Sequence, residues 1–442
     1  MSPGTSMFEH EAAAAVAVEA PTLAGFELGE YLGEYRGAAR VRRAVAAAER
    51  CPELSVAALR AALDELKRAT YDTARYKRLA GQLGRLTGRA EEDEAWLAAA
   101  SQAAGELSRE IAARQERARK QNSKRELFRA QGEQVALLLK VGRADEAVRA
   151  LQDARAFCVD VAEQAQLHVE AARVGQAMGR WLQVASAVQR AEAAVPEPAE
   201  DVAAELAAMR AQASFGDAKW AAAVAEIQAL SVDRLAAAGV LAAGAVAARD
   251  FALYGTLAGL AVLDRDRVRA QLADSARFGQ FLDRMPECQR LLQAFLAARY
   301  DEALQCLDRI RSFCAIDPVV APHIAALQQK IVDNVVVLYT RPFVSVRLDA
   351  MARALCFASA DALEAALVRL IEAGLIPARI DATAGFLVQR AADPRDAALQ
   401  RAEEIHAAFA LQCELMTARV HFLEAESGQQ HHHHRGHGGR RR

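Results

Sequence analysis

Apolar residues in this chain return mostly every three or four positions, the period that lays one stripe along a helix. From Arg125 onward that period is punctuated by glycine at a constant interval. Gly142-Arg-Ala-Asp-Glu-Ala147, Gly179-Arg-Trp-Leu-Gln-Val-Ala185 and Gly216-Asp-Ala-Lys-Trp-Ala-Ala222 share one form, and the glycines stand 37 residues apart in both steps. Each glycine follows one predicted helix and precedes another, with Trp181 or Trp220 expected to wedge between the pair. Ala298-Arg-Tyr300-Asp-Glu-Ala303 repeats the theme without the glycine. One helical hairpin cannot bury its own apolar face, so such units must stack on their neighbours.

The same reading predicts helices through most of the chain. Residues 1–25 are expected to be a disordered arm closed by Pro21. Phe26 to Arg50 supplies the first ordered helices, with Tyr31, Tyr35, Val41 and Val45 on the apolar face. Cys51-Pro52 interrupts them, because proline pushes the residue before it out of the α region. A long, charged helical stretch is expected over 90–129. Its basic part, from Arg114 to Lys124, reads either as a solvated face or as a docking strip for an acidic partner. Phe251 to Leu263 is the most apolar run and is too short to span a bilayer, so it predicts a buried helix. His323 to Tyr339 predicts another helix, although Val335-Val-Val337 is β-branched and locally favours strand.

Near the carboxyl end the pattern changes. Val346, Leu348, Met351, Ala352 and Leu355 recur at helical spacing. Ser359 and Asp361 offer N-caps for a second helix, which carries Leu363, Leu367, Leu370 and Ile371 and ends at Gly374. Ile376–Asp381 and Phe386–Gln389 then read as strands around the turn at 382–385. Helix, turn, helix and hairpin in this order predict a winged helix. Its second helix has Asp361, Glu364 and Glu372 against Arg369, the wrong sign for neutralising phosphates. Packing against protein is therefore the preferred use, with nucleic-acid binding as the competing one. Ala397 to Glu426 predicts a long last helix with Leu399, Ile405, Phe409, Leu415, Val420 and Leu423 as candidate core positions. The histidine- and arginine-rich residues 427–442 are expected to be a disordered tail.

Composition narrows the class. Apolar residues make up 53 % of 442, enough for a sizeable core, while aromatics are only 6 % and alanine dominates. Alanine has the highest helix propensity, so a mainly all-α body is expected. The net charge of −2 gives no field favouring nucleic acid or an anionic membrane. The cysteines at 51, 158, 288, 306, 314, 356 and 413 show no C-x-x-C spacing, which predicts reduced thiols in a cytosolic or nuclear protein. No phosphate loop, dinucleotide fingerprint, H-E-x-x-H or G-x-S-x-G occurs, so neither catalysis nor a cofactor is expected.

Several stretches resemble the PCI-domain subunits of the proteasome lid, the COP-nine signalosome and the translation initiation scaffold. They are Asn334 to Asp349, Met351-Ala352, and Ala362-Leu-Glu364 through Gly374 to Asp381. Further upstream they are Tyr35-Arg-Gly37-Ala-Ala-Arg40, Cys51-Pro52-Glu-Leu54, Phe251-Ala-Leu-Tyr254-Gly255, Leu263-Asp264-Arg265 and Pro318 to His323. The resemblance spans about residues 28–424. The winged-helix motifs alone admit the related proteasome lid subunit. The amino-terminal pairs together with Ala378-Arg379-Ile380-Asp381 favour the signalosome.

The resemblance implies a TPR-like helical-repeat solenoid at 26–245 and a PCI domain at 246–392, with its winged helix at 342–390. A bundle helix follows at 393–426. It also implies a non-catalytic scaffold whose complex removes a ubiquitin-like modifier from cullins, in cytoplasm and nucleus. The implied partners are other PCI-domain subunits and, through the assembled complex, cullin–RING ligases, with no small-molecule substrate and no membrane. The family's catalytic zinc site belongs to a different subunit and needs an H-x-H pair followed by S-x-x-D. Here H-x-H occurs only in the terminal tract, without S-x-x-D after it. The expected subunit-interface residues are Ile380, Phe386, Leu387 and Val388 of the wing, with 386–389 as its outer strand, and Leu415 and Leu423 of the last helix. No metal or cofactor site is assigned.

Overall fold

The computed structural model describes residues 27–89, 92–196, 198–389 and 394–435. The expected amino-terminal arm, and the tail beyond Arg435, lie outside them. Contacts divide the chain into two units, one up to Arg341 together with Met351–Ser359, the other Pro342–Ala350 together with Ala360 onward.

The first unit is a succession of helices. It opens with α1 (Leu28–Gly33), α2 (Gly37–Arg50), α3 (Ser55–Ala69), α4 (Thr73–Thr87) and α5 (Glu94–Lys120). Hairpins follow: α6 (Lys124–Lys140) with α7 (Ala144–Ala154), α8 (Val161–Met178) with α9 (Trp181–Ala194), and α10 (Glu200–Gly216) with α11 (Trp220–Ala229). Next come α12 (Val232–Ala237), α13 (Val240–Ala243), α14 (Ala248–Val262), α15 (Arg265–Val268) and α16 (Ala276–Leu282). The hairpin α17 (Pro286–Leu296) and α18 (Tyr300–Ile316) then precedes α19 (Ile324–Thr340). The valines at 335–337 are helical, as expected, because Val335 and Val336 are buried on the packed face of α19. The charged helical stretch expected at 90–129 is made of α5 and the start of α6. It breaks after Lys120, where Asn122 turns left-handed (φ +49) and Ser123 caps α6.

Local chemistry places many of these boundaries. Asp72, Asp93 and Asp160 accept from the backbone N–H three residues on, at 2.9, 3.0 and 2.8 Å, capping α4, α5 and α8. One closure recurs between paired helices. Arg143 N–H donates to Leu138 O and Gly142 N–H to Leu139 O; Arg180 and Gly179 do the same with Gly175 and Gln176. Lys219 with Ala218, and Arg299 with Ala298, repeat the pattern. This closure needs a residue at positive φ. Gly142 (φ +83) and Gly179 (φ +72) supply it, but in the third and fourth joints Ala218 (φ +59) and Ala298 (φ +58) do. Gly216 is glycine for a different reason: a Cβ there would run into the indole of Trp181 from the preceding hairpin.

Stacking gives the hairpins shared cores. Phe128, Val135, Ala147 and Leu151 pack with Leu167 and Val174 of the next hairpin. Val169, Val184 and Val188 pack in turn with Leu206 and Met209. The expected boundary at 245 does not interrupt this packing, because α11 lies against α14 across it. Along α14, Phe251 to Leu260 is buried almost without relief.

A polar cluster fastens the amino-terminal helices within this unit. Arg43 is 2 % exposed, and its guanidinium donates to Asp317 Oδ2 at 2.7 Å and Asp250 Oδ2 at 2.8 Å. Tyr35 donates to Asp250 Oδ1 (2.5 Å) and Tyr254 to Asp317 Oδ2 (3.1 Å), while the Tyr35 ring lies 4.0 Å from the guanidinium carbon. A buried charge is tolerated only when paired and hydrogen-bonded, and here every partner is in place.

Candidate subunit interface

The second unit contains a small antiparallel sheet of β1 (Ser345–Arg347), β2 (Ala378–Asp381) and β3 (Phe386–Gln389). Helix α20 (Leu348–Ala354) follows β1, and α21 (Ala360–Glu372) precedes β2. Two expectations need correction. Ser345–Arg347 is a strand, not the start of a helix. Its Val346 falls on the helical stripe in sequence but pairs with Leu387 in the sheet. The strand order is β1-β3-β2, so Phe386–Gln389 is the central strand, not the outer one. Among the described residues the free edges are those of β1 and β2.

Alternation along β3 behaves as a pleat requires. Leu387 is 1 % exposed, on the face shared by Val346 and Ile380. It belongs to the core beneath the sheet and is not available to a partner. Phe386 and Val388 are half-buried on the opposite face, framed by Ser345, Arg347, Arg379 and Asp381. Ile380, also half-buried, lies on the edge strand β2. The turn is held by Asp381, whose Oδ1 accepts from Thr383 N–H (3.1 Å) and Ala384 N–H (3.0 Å). Gly385 follows at φ +69, and Gly374 ends α21 at φ +72.

The last helix, α22 (Pro394–Arg435), runs past the expected end at 426, so residues 427–435 are helical rather than disordered. Its candidate core positions are not core positions of this chain. Leu399, Ile405, Phe409, Leu415, Val420 and Leu423 are 52–65 % exposed, and Phe422 is 73 % exposed. At 100° per residue, Ile405, Phe409, Met416, Val420 and Leu423 form one stripe. Leu411, Leu415 and Phe422 form a second, about 120° away. Of the sequence-expected interface residues, the structure thus leaves Leu415 and Leu423 open, Ile380, Phe386 and Val388 partly so, and Leu387 closed.

The Arg43 cluster escaped the sequence reading. The signal present was a charge inside an apolar face: Asp250 directly precedes the most apolar run, and Arg43 lies between Val41 and Ala44. Elsewhere two of the five cations in the basic stretch from Arg114 to Lys124 are ion-paired among the described residues. Arg114 meets Glu133 at 2.7 Å and Lys120 meets Glu116 at 2.9 Å, as a solvated face would. Among the described residues no group of three His, Cys, Asp or Glu could hold a metal ion, and no helix is long and apolar enough to cross a membrane.

A helical-repeat region followed by a small wing and a long helix defines a class of fold, a repeat body with a PCI domain near its carboxyl end. The PCI domain model matches residues 307–390, and the model of the 26S proteasome subunit RPN7 matches residues 93–271. Over most of its length the chain resembles COP9 signalosome complex subunit 1. It is 27 % identical to that of Arabidopsis thaliana over 92 % of both chains. It is 27 % identical to that of Emericella nidulans over 85 % of this chain and 77 % of the relative. With subunit 1b of Drosophila melanogaster identity is 25 %, over 82 % and 78 %.

Proposed function

We propose that this chain is a non-catalytic scaffold subunit of a signalosome, held to other PCI-domain subunits through its wing and through α22. In this reading the assembled complex engages cullin–RING ligases and removes a ubiquitin-like modifier from cullins, in cytoplasm and nucleus. The carrying observation is the long helix with two exposed apolar stripes. Burying one such Leu or Phe contributes about 1.5–3 kcal/mol, and two stripes call for more than one neighbour, as in a bundle of helices. The wing adds a free strand edge at β2, where unpaired N–H and C=O groups can accept a neighbour's strand.

Affinity purification of the full chain from its own cells, with mass spectrometry of what travels with it, tests this. The expected result is a stoichiometric set of signalosome subunits, reduced by Phe386→Asp in the wing and abolished by truncation after Asp393. Recovery of the chain alone would sink the scaffold reading. The match of residues 93–271 to the RPN7 model favours a second reading, a proteasome lid subunit. Recovery of proteasome subunits instead would select it.

A further inference from the structure

Helices α7, α8 and α9 enclose a groove of about 410 Å³ in the repeat region. Its floor is apolar, formed by Leu151 of α7, Leu167 and Ala171 of α8, and Ala187 of α9. Its polar rim includes Arg155, His168 and Arg190, and no carboxylate lines it. Leu182, 70 % exposed, stands at the same rim. The positions come from three helix faces: 148, 151, 152 and 155; 167, 168, 171 and 175; 182, 183, 186, 187 and 190. The groove is therefore a product of the hairpin stacking.

Both arginines are exposed. Several other exposed arginines on these hairpins are ion-paired: Arg125 with Asp160 (3.3 Å), Arg173 with Glu205 (2.7 Å) and Arg180 with Asp145 (2.8 Å). Neither Arg155 nor Arg190 has an ion-pair partner among the described residues. Their field reaches His168, whose imidazole is lowered first by burial and then by the charges of Arg190 and Arg155. The space suits one bulky side chain with flanking backbone. Two arginines over an apolar floor are too few cations for a phosphate backbone, in a chain of net charge −2.

We infer that this groove docks an acidic linear segment of a partner protein, with a bulky apolar side chain seated on Leu151 and Leu167 and flanking carboxylates on Arg155 and Arg190. The proposal is independent of the wing and of α22. The full chain, titrated into three fluorescein-labelled octapeptides, tests it by anisotropy. The first is Glu-Asp-Glu-Leu-Phe-Asp-Glu-Glu; the second replaces every acid by its amide; the third replaces Leu-Phe by Ser-Ser. The expected result is saturable binding of the first, weakened about tenfold or more in each control and by Arg155→Glu or Arg190→Glu, with a loss of affinity at high salt. Unchanged circular dichroism melting certifies that the variants are folded. Equal binding of the amide peptide, or equal binding by the charge-reversed proteins, overturns the proposal. Because the two peptide controls use the unaltered protein, the test stands even if a variant misfolds. An own-chain occupant is the remaining outcome: if Glu9→Gln with Glu11→Gln raises affinity tenfold, this chain's own amino-terminal residues fill the groove and the partner assignment falls.

Discussion

Helices α2 and α22 both mix apolar and charged residues and treat them oppositely. In α2 even a guanidinium is enclosed: Arg43 is 2 % exposed and finds carboxylates from residues 250 and 317. In α22 even phenylalanine is left out, with Phe409 at 63 % and Phe422 at 73 %. The first helix has its complement within the chain. The second has no complement among the described residues, and in the proposed function a neighbouring subunit supplies it, since an exposed apolar stripe of this length marks an interaction surface.

The contrast can be broken most sharply at its buried end. Arg43→Ala leaves two carboxylates enclosed without their counter-charge, and a loss of about 3–5 kcal/mol is expected in urea unfolding. Leu387→Ala opens a cavity under the sheet and costs about 2–5 kcal/mol, read as loss of cooperative unfolding in the wing. The same cluster sets a pH dependence. Burial, opposed by Arg43 and reinforced by Asp317, pushes the Asp250 carboxyl up to about 6 from 3.8. The native state then holds this proton more tightly than the unfolded one. Its contribution is full below about pH 4 and is lost as pH rises to about 6, with no further change above. Relative to Asp250→Asn, the wild type should lose up to about 3 kcal/mol across that window.

At the exposed end the expected sign differs. Phe409→Glu and Leu415→Glu should shift the unfolding of the isolated chain by less than about 0.5 kcal/mol. They should nonetheless weaken capture of neighbouring subunits by about tenfold or more. A large stability loss in the isolated chain would show that α22 is covered internally and erase the contrast. The smallest effect belongs to the repeat joints. Ala298 holds a left-handed backbone that glycine adopts without strain, so Ala298→Gly should gain about 0.5 kcal/mol in the melting of the full chain.

Much of the fold was legible because its causes are local. A glycine or alanine can close a helix without reference to distant residues, and a stripe of Leu and Val reads as helix wherever it packs. The 37-residue spacing of Gly142, Gly179 and Gly216 therefore announced stacked hairpins. Even so, it concealed that Gly216 is kept small by an indole from the preceding hairpin rather than by its own φ. The wing was half legible. Its hairpin is local, but β1 is a triplet whose strand state depends on pairing with residues 386–388, about forty positions on. The apolar residues of α22 were visible from the outset, yet periodicity cannot say whether a stripe is covered by its own chain or by another.

By itself, then, the order of residues determined the helical body, the joints between its hairpins and the turn at 382–385. Each of these follows from interactions spanning a few positions along the backbone. Only the tertiary structure decided that Leu387 is interior, that Arg43 is paired, that Arg155 and Arg190 share a groove, and that α22 stands uncovered. Those facts depend on which distant segments meet, and that is governed by packing of the whole chain rather than by local period.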